Sequence, residues 1–156
     1  MSKELSRVTS QRRRQPSGPM KRPYALALPP QAGSVTRARH WVSRQLHDEG
    51  LPVGAIQDAE LCVSELAANA VAHATTDFLV EIQFAGDVLR ITVSDLDDRV
   101  PRPGPRDPGA RAGRGLLLVA TISSGWGVSS REPLGKSLWF ELPIETSALS
   151  DPPLPG

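Results

Sequence analysis

The side chains best suited to chemistry lie in residues 61–74, a stretch in which only Ser64, Glu65, Asn69 and His73 are polar. The last three are spaced four residues apart, so a helix would place them in one line along a single face. Because an ionised carboxylate is costly to bury without a partner, this line is predicted to face a cleft or a ligand. A carboxylate and a carboxamide one helical turn apart can orient a nucleophile and bind a hard cation through oxygen.

Two other interpretations of this helix are open. Its polar line could face solvent, although the apolar residues around the rest of its circumference are typical of a helix buried on nearly every side. His73 stands at the predicted helix end, where an ordinary local hydrogen bond explains a histidine as well as a binding role does.

Asp95 and Ser137 each stand at the end of a predicted strand. Asp95 closes the run Ile91–Asp95, and a carboxylate at a strand's exit can accept a hydrogen bond from an exocyclic amine such as that of adenine. Aspartates also commonly begin loops, so the position alone does not establish binding. Ser137 brings a hydroxyl to the entry of a strand, within the segment Gly135–Phe140.

A glycine motif, Gly113-Arg114-Gly115-Leu116, leads into a predicted helix. Glycines at a helix N-terminus let backbone N–H groups approach an anion, and the helix dipole favours negative charge there. Arg114 would add a positive charge. A single Gly-x-Gly also occurs in ordinary turns, so anion binding and simple turn formation are both open.

Hydrophobic periodicity and turn residues predict the elements that position these side chains. The expected order is strand Tyr24–Leu28, helix Ser34–Leu46, helix Gly54–Ala74, strand Phe78–Phe84, strand Val88–Val93, helix Gly115–Ile122, strand Trp126–Ser130 and strand Ser137–Leu142. Short turns between neighbouring strands predict hairpins. The fold class that follows is a two-layer α/β sandwich, with a mixed, mostly antiparallel sheet and helices on one face.

Composition divides the chain into one folded domain and two tails. Residues 1–22 are basic and rich in Ser, Gln and Pro, and residues 145–156 are rich in Pro and Ser, so we expect both to be disordered. Residues 23–144 are expected to form the domain. Within it, residues 96–113 hold four prolines and three glycines, which predicts a mobile lid.

Charge and cysteine content exclude several classes of protein. Residues 1–22 carry seven basic and one acidic side chain (+6), whereas the other 134 residues carry 11 basic and 16 acidic ones (−5). No aromatic residue interleaves the basic tail, so a solubilising role is favoured over nucleic-acid binding. The single cysteine, Cys62, excludes an internal disulfide and a multi-cysteine metal site. Neither a membrane span nor a secretory signal is recognisable, so we expect a cytoplasmic protein.

The order of the motifs resembles that of the Bergerat-fold ATPases, which include gyrase, the large heat-shock chaperones, mismatch-repair proteins and sensor histidine kinases. The bacterial anti-sigma-factor serine kinases and their ATP-binding relatives are the most similar branch. Glu65–His73 matches the family's N box, and Asp95 falls where its adenine-binding aspartate belongs. Gly113–Leu116 matches the phosphate-contacting glycine box, and Gly135–Phe140 resembles the last box, with Ser137 where a threonine often stands. The resemblance covers about residues 24–143.

The resemblance implies ATP and Mg²⁺ as cofactors, and it implies roles for the motif residues. Asn69 would hold Mg²⁺ against the phosphates, and Glu65 would act as the base or orient the attacking hydroxyl. Nucleotide contacts are implied for Asn69, His73, Asp95, Gly113, Arg114, Gly115, Leu116 and Ser137.

The implied function is that of an anti-sigma-factor-type serine/threonine kinase that phosphorylates or sequesters a transcription-regulatory partner. This partner would be a sigma factor or an anti-sigma antagonist, and a homodimer is compatible with the resemblance. An alternative is a non-catalytic interaction module switched by nucleotide. A more remote alternative is a nucleic-acid-binding protein that uses residues 1–22.

Two features depart from the family pattern. Asp95 is followed by Leu-Asp-Asp-Arg and not by the glycines of a D-x-G-x-G motif, so weaker nucleotide binding is expected. The chain also has no recognisable dimerisation helix with a phosphoacceptor histidine, so autophosphorylation of the sensor-kinase type is not expected.

Overall fold

A computed structural model describes residues 24–73, 76–95, 111–130 and 135–144. These residues form three helices and five strands: β1 (Tyr24–Leu28), α1 (Gly33–Asp48), α2 (Val53–His73), β2 (Phe78–Ala85), β3 (Val88–Asp95), α3 (Arg111–Ile122), β4 (Gly125–Ser130) and β5 (Lys136–Pro143). The predicted tails and residues 96–110 of the predicted lid lie outside the described part of the chain. None of the described helices is both long and apolar enough to cross a membrane.

Local hydrogen bonds and a glycine turn explain where helix α1 begins and ends. In its first turn the hydroxyl of Ser34 donates to the carbonyl oxygen of Pro29 at 2.7 Å. At its end Gly50 adopts a left-handed φ of 82° and donates its N–H to the carbonyl of His47. Glycine takes this conformation without a steric penalty, which explains why the helix stops where the sequence predicts.

The five strands form one sheet in the order β1-β2-β3-β5-β4, and every pairing in the described residues is antiparallel. The hairpin between β2 and β3 turns at Gly86, whose φ is 64°. The central pair, β3 with β5, joins segments that are far apart in the sequence, with Asp95 opposite Lys136 and Val88 opposite Pro143. The predicted fold class is confirmed, since the sheet is antiparallel and the helices pack on one of its faces.

Side chains alternate between the two faces of the central strands, and this alternation determines which of them face the helices. Inward-facing side chains of β3 and β5 are Leu89, Ile91, Val93, Leu138, Phe140 and Leu142, and all are buried in one core with residues of the three helices. Burying each such side chain contributes roughly 1.5–3 kcal/mol relative to leaving it exposed. This core positions α2 over the sheet.

The opposite face of the same strands carries a second cluster around Trp139, which is only 5% exposed. Gly127 lies directly across from it on β4. The guanidinium of Arg90 lies 4.0 Å from the centroid of the indole and pairs with Glu141, with Nη2 and Oε2 2.7 Å apart. The indole is therefore held between the backbone of β4 and a paired arginine.

Helix α3 begins earlier than the sequence predicts. The prediction started the helix at Gly115, with the glycine motif as the turn that leads into it. In the structure α3 begins at Arg111, so the glycine motif lies inside its first turns and not in a turn that precedes the helix. The other element boundaries differ from the prediction by no more than two residues.

We predict that Gly127→Ala will destabilise the fold because of the neighbouring indole. A Cβ at this position would lie 2.6–2.9 Å from three atoms of the Trp139 ring, which is itself held by Arg90. Overpacking of this kind costs about 1–3 kcal/mol. Urea unfolding monitored by tryptophan fluorescence measures the change.

Gly125→Ala is the matched control on the same strand. Its added Cβ would meet nothing closer than 3.8 Å, and neither glycine has a positive φ. The control should leave the free energy of unfolding unchanged or raise it by up to about 1 kcal/mol, because alanine restricts the unfolded chain. Equal effects of the two variants would contradict this account of Trp139.

Candidate functional site

The predicted polar line lies on α2, as the four-residue spacing requires. Asn69 is only 2% exposed, whereas Glu65 and His73 are partly buried on either side of it. The outer face of α2, with Val53 and Leu61, is exposed, whereas its buried apolar residues pack into the core: Ile56, Ala59, Cys62, Val63, Leu66, Ala67 and Ala70. The polar line therefore lies next to the packed residues, and Asn69 at its centre is closed to bulk solvent.

The side-chain oxygen of Asn69 has no hydrogen-bond partner within the described residues, although it is buried. Leaving a buried acceptor unsatisfied costs roughly 1–3 kcal/mol, and such groups in proteins almost always have a partner. An unpartnered carbonyl-type oxygen at the centre of the line is suited to receive a donor or a cation.

Glu65 lies against α3 at Gly115. A Cβ added to this glycine would come within 2.5 Å of Glu65 Oε1 and within 3.3 Å of its Cβ. The missing side chain of this glycine leaves room for the carboxylate between the two helices. The sequence predicted a different reason for Gly115, namely approach of the backbone to an anion.

The remaining residues of the glycine motif have different environments. Arg114 is exposed on the first turns of α3, while Leu116 is fully buried in the core. Gly113 belongs to the first turn of the same helix. The motif therefore brings the first turns of α3 against Glu65 through Gly115, and Leu116 anchors that helix to the core.

Asp95 is buried, with 6% exposure, and forms an ion pair with Lys136. The ammonium Nζ lies 3.1 Å from Oδ2 and 3.4 Å from Oδ1. Sequence reasoning missed Lys136, although a signal was present: it has the same strand parity as Leu138 and Phe140. A lysine on the inward side of a buried strand needs an acidic partner, and Asp95 has the matching parity on β3.

Ser137 points to the other side of the sheet. Its hydroxyl shares a 2.8 Å hydrogen bond with that of Ser94, its partner in the β3–β5 register. The structure thus brings Glu65 and Gly115 together and places Asp95 on the helix-facing side, while Ser137 lies on the opposite face. The role of Ser137 in nucleotide binding stays a prediction, and so does the role of His73.

Burial raises the pKa of the Cys62 thiol to about 12, and the nearby charges of Asp58 and Glu65 add to the effect. A thiol with so high a pKa stays protonated at neutral pH and is a poor nucleophile. Cys62 therefore packs in the core, and the chemistry near the polar line must come from oxygen and nitrogen groups.

The family model of the histidine kinase-like ATPase domain matches residues 28–142 of this chain. The chain belongs to this family. Membership implies that it binds ATP. It also agrees with the predicted resemblance, since the matched range includes the polar line of α2, Asp95, the glycine motif and nearly all of β5.

Two solved structures share the fold of this ATPase domain. The first contains the RsbU and RsbW domains of Rv1364c from Mycobacterium tuberculosis, with 18% identity, a TM-score of 0.62 and coverage of 80% of this chain and 33% of that chain. The second is the SiaB–SiaC complex from Pseudomonas aeruginosa, with 18% identity, a TM-score of 0.60 and coverage of 76% of this chain and 88% of that chain. This chain thus spans about a third of the first. No curated protein matches the chain.

The residues of the site fit a magnesium ion that accompanies a nucleotide. Mg²⁺ prefers oxygen ligands and usually keeps few protein ligands, with water and phosphate completing its shell. Asn69 offers one unpartnered buried oxygen. The described residues contain no group of three or more His, Cys, Asp or Glu side chains able to hold a metal by themselves. A metal at Asn69 would therefore depend on the phosphates for most of its ligands.

We predict that Gly115 and Glu65 are energetically coupled. In wild type, Gly115→Ala gains about 1 kcal/mol of helix propensity but must displace the Glu65 carboxylate, so the net change in unfolding free energy should be small. In the Glu65→Ala background the carboxylate is gone, and the same substitution should be more favourable by at least about 0.5 kcal/mol. Urea unfolding of the four proteins of this double-mutant cycle gives the coupling energy.

Gly54→Ala provides the control cycle on α2. No atom lies within 4 Å of a Cβ added there, so this substitution should be additive with Glu65→Ala. Additivity of Gly115→Ala with Glu65→Ala, to within about 0.3 kcal/mol, would mean that the glycine does not accommodate the carboxylate.

Proposed function

We propose that this chain is an ATP- and Mg²⁺-dependent serine/threonine kinase that phosphorylates, or sequesters, a protein regulating transcription. The observation that carries the proposal is the pair Glu65 and Asn69. The two lie one turn apart on α2, one held against α3 and the other with an unpartnered buried oxygen. In a domain that binds ATP, the carboxamide in this arrangement can bind the metal, and the carboxylate can accept a proton from the attacking hydroxyl.

Asn69 would hold Mg²⁺ through Oδ1 and so orient the phosphates. When bound, the metal neutralises the charge that the phosphates carry into the transition state. The start of α3, with its free backbone N–H groups and the charge of Arg114, would face the phosphates from the other side. Asp95 would accept a hydrogen bond from the adenine amine.

Glu65 would act on the attacking hydroxyl of the partner's serine or threonine. That oxygen forms a bond to the γ-phosphorus while the bond to the β,γ-bridging oxygen breaks and ADP leaves, and Glu65 accepts the hydroxyl proton. Phosphoryl transfer depends mainly on positioning and charge stabilisation, so few protein groups are needed. The carboxylate lies against α3 at Gly115.

The kind of partner follows from the motif resemblance to anti-sigma-factor kinases. A sigma factor or an anti-sigma antagonist is the proposed partner, and the cytoplasm is the place where such a protein would act. One structure with this fold is a complex of two proteins, SiaB with SiaC, which is in keeping with a role in protein binding. A homodimer is compatible with this proposal.

A second candidate is a non-catalytic interaction module switched by nucleotide. The observation that favours it is the ion pair between Asp95 and Lys136, because a base that bonds to Asp95 must share a carboxylate that is already in use. Nucleotide binding would then alter the pair at the end of β3, directly where residues 96–110 begin. Phosphate transfer separates the two candidates.

Glu65→Gln should leave Mg²⁺-ATP binding nearly intact, while transfer of labelled γ-phosphate to a polypeptide of a cell extract falls about 10²–10⁴-fold. The amide keeps the size of the side chain but cannot take a proton. Glu60→Gln, on another face of α2, is the matched control and should transfer phosphate at the wild-type rate. If wild type labels no polypeptide at all, the kinase proposal falls and the switched module replaces it.

Asn69→Ala should weaken Mg²⁺-ATP binding and abolish transfer together. Calorimetric titrations with Mg²⁺ and with EDTA measure the metal-dependent part of the affinity, which should disappear in the variant. Asn69 lies among packed residues, so the thermal midpoint of the variant is checked first. A folded variant that keeps the full difference between Mg²⁺ and EDTA would rule out Asn69 as the metal ligand.

A further inference from the structure

Lys136 and Asp95 form a buried charged pair at one end of the central strands. Lys136 is 1% exposed and is the first residue of β5, directly opposite Asp95, the last residue of β3. Both side chains lie on the side of the sheet that carries the helices, where Asp95 is proposed to meet the base of the nucleotide.

The pair is not explained by stability alone. Taking two charges out of water costs nearly as much as their attraction returns, and well-packed apolar residues often stabilise a fold as well or better. The same two strands carry a comparable pair, Arg90 with Glu141, on the opposite face, where the side chains are 28% and 27% exposed. The main consequence of the buried pair therefore lies in the hydrogen-bond donors and acceptors that it supplies to the site.

The ammonium of Lys136 carries more donors than its partners among the described residues use. It carries three N–H groups, and its hydrogen bonds in the described part of the chain all go to the two oxygens of Asp95. The carboxylate can accept about four hydrogen bonds in all. The site thus offers an acceptor with a donor directly beside it, whereas an aspartate alone offers acceptors only.

This difference decides which purines can bind. Adenine presents an amine donor at position 6 beside the acceptor N1, and 6-oxopurines present a carbonyl acceptor beside an N1–H donor. A lone carboxylate complements the first edge and repels the carbonyl of the second. A donor beside the acceptor lets the second edge bind as well, because the ammonium donates to the carbonyl while the carboxylate accepts from N1–H. The amine of adenine can bond to the carboxylate with or without the ammonium, so the donor matters more for 6-oxopurines than for adenine.

We propose that Lys136 is a specificity-determining residue that lets the site bind 6-oxopurine nucleotides such as ITP and GTP as well as ATP. The proposal rests on the proposed nucleotide site at Asp95. A merely structural role for Lys136 would change the affinity for all nucleotides alike, whereas a specificity role changes the ratio between them.

The test compares dissociation constants of the Mg²⁺ complexes by calorimetry. In wild type, ITP should bind within about tenfold of ATP, and purine riboside triphosphate, which lacks any group at position 6, should bind about tenfold more weakly than ATP. Lys136→Met should shift the ratio of ITP to ATP dissociation constants upward by about 10–100-fold, the effect of one hydrogen bond to a charged group. Arg90→Met, which removes the cation of the outer pair, should leave the ratio unchanged.

The wild-type measurements suffice if Lys136→Met does not fold. A wild-type preference for ATP over ITP of more than about 100-fold would overturn the specificity role and leave the nucleotide site intact. Equal binding of purine riboside triphosphate and ATP would also overturn it, because the edge of the base would then not be recognised. If no nucleotide binds wild type at millimolar concentration, the proposed function itself falls.

Discussion

The packing of the inner face of helix α2 governs the candidate site. The sheet covers the buried apolar residues of the helix, and α1 and α3 lie against its flanks, while Val53 and Leu61 on the outer face stay exposed. Asn69 is buried on the packed side with an unpartnered oxygen, and Glu65 lies against Gly115. A packed helix positions these groups more rigidly than a loop would, which suits chemistry that depends on position.

The central strands β3 and β5 organise two different environments on their two faces. Toward the helices, the pair Asp95–Lys136 ends the apolar core with opposite charges that are almost fully buried. Toward the outside, Arg90 stacks on Trp139 and pairs with Glu141 while remaining partly exposed. The outer pair contributes little energy because water screens it, whereas removal of one inner partner would leave an uncompensated buried charge.

Much of this arrangement could be predicted from local sequence patterns. Periods of two and of about 3.6 residues identified every strand and helix of the described chain, because apolar side chains must face one core. The four-residue spacing of Glu65, Asn69 and His73 places them in one line, since the geometry of a helix is independent of its surroundings. The order of the motifs also indicated the ATPase family, which the match over residues 28–142 confirms.

Only the tertiary structure decided which distant residues meet. The sequence determined that Asp95 ends a strand and that Gly115 belongs to a helix start. Neither fact reveals that Lys136 lies beside Asp95 or that Glu65 lies beside Gly115. Such contacts join residues more than 40 positions apart, so they depend on strand order and helix packing, which local periodicity does not encode. For the same reason the start of α3, four residues before its predicted start, could not be obtained from the weak helix propensity of its glycines.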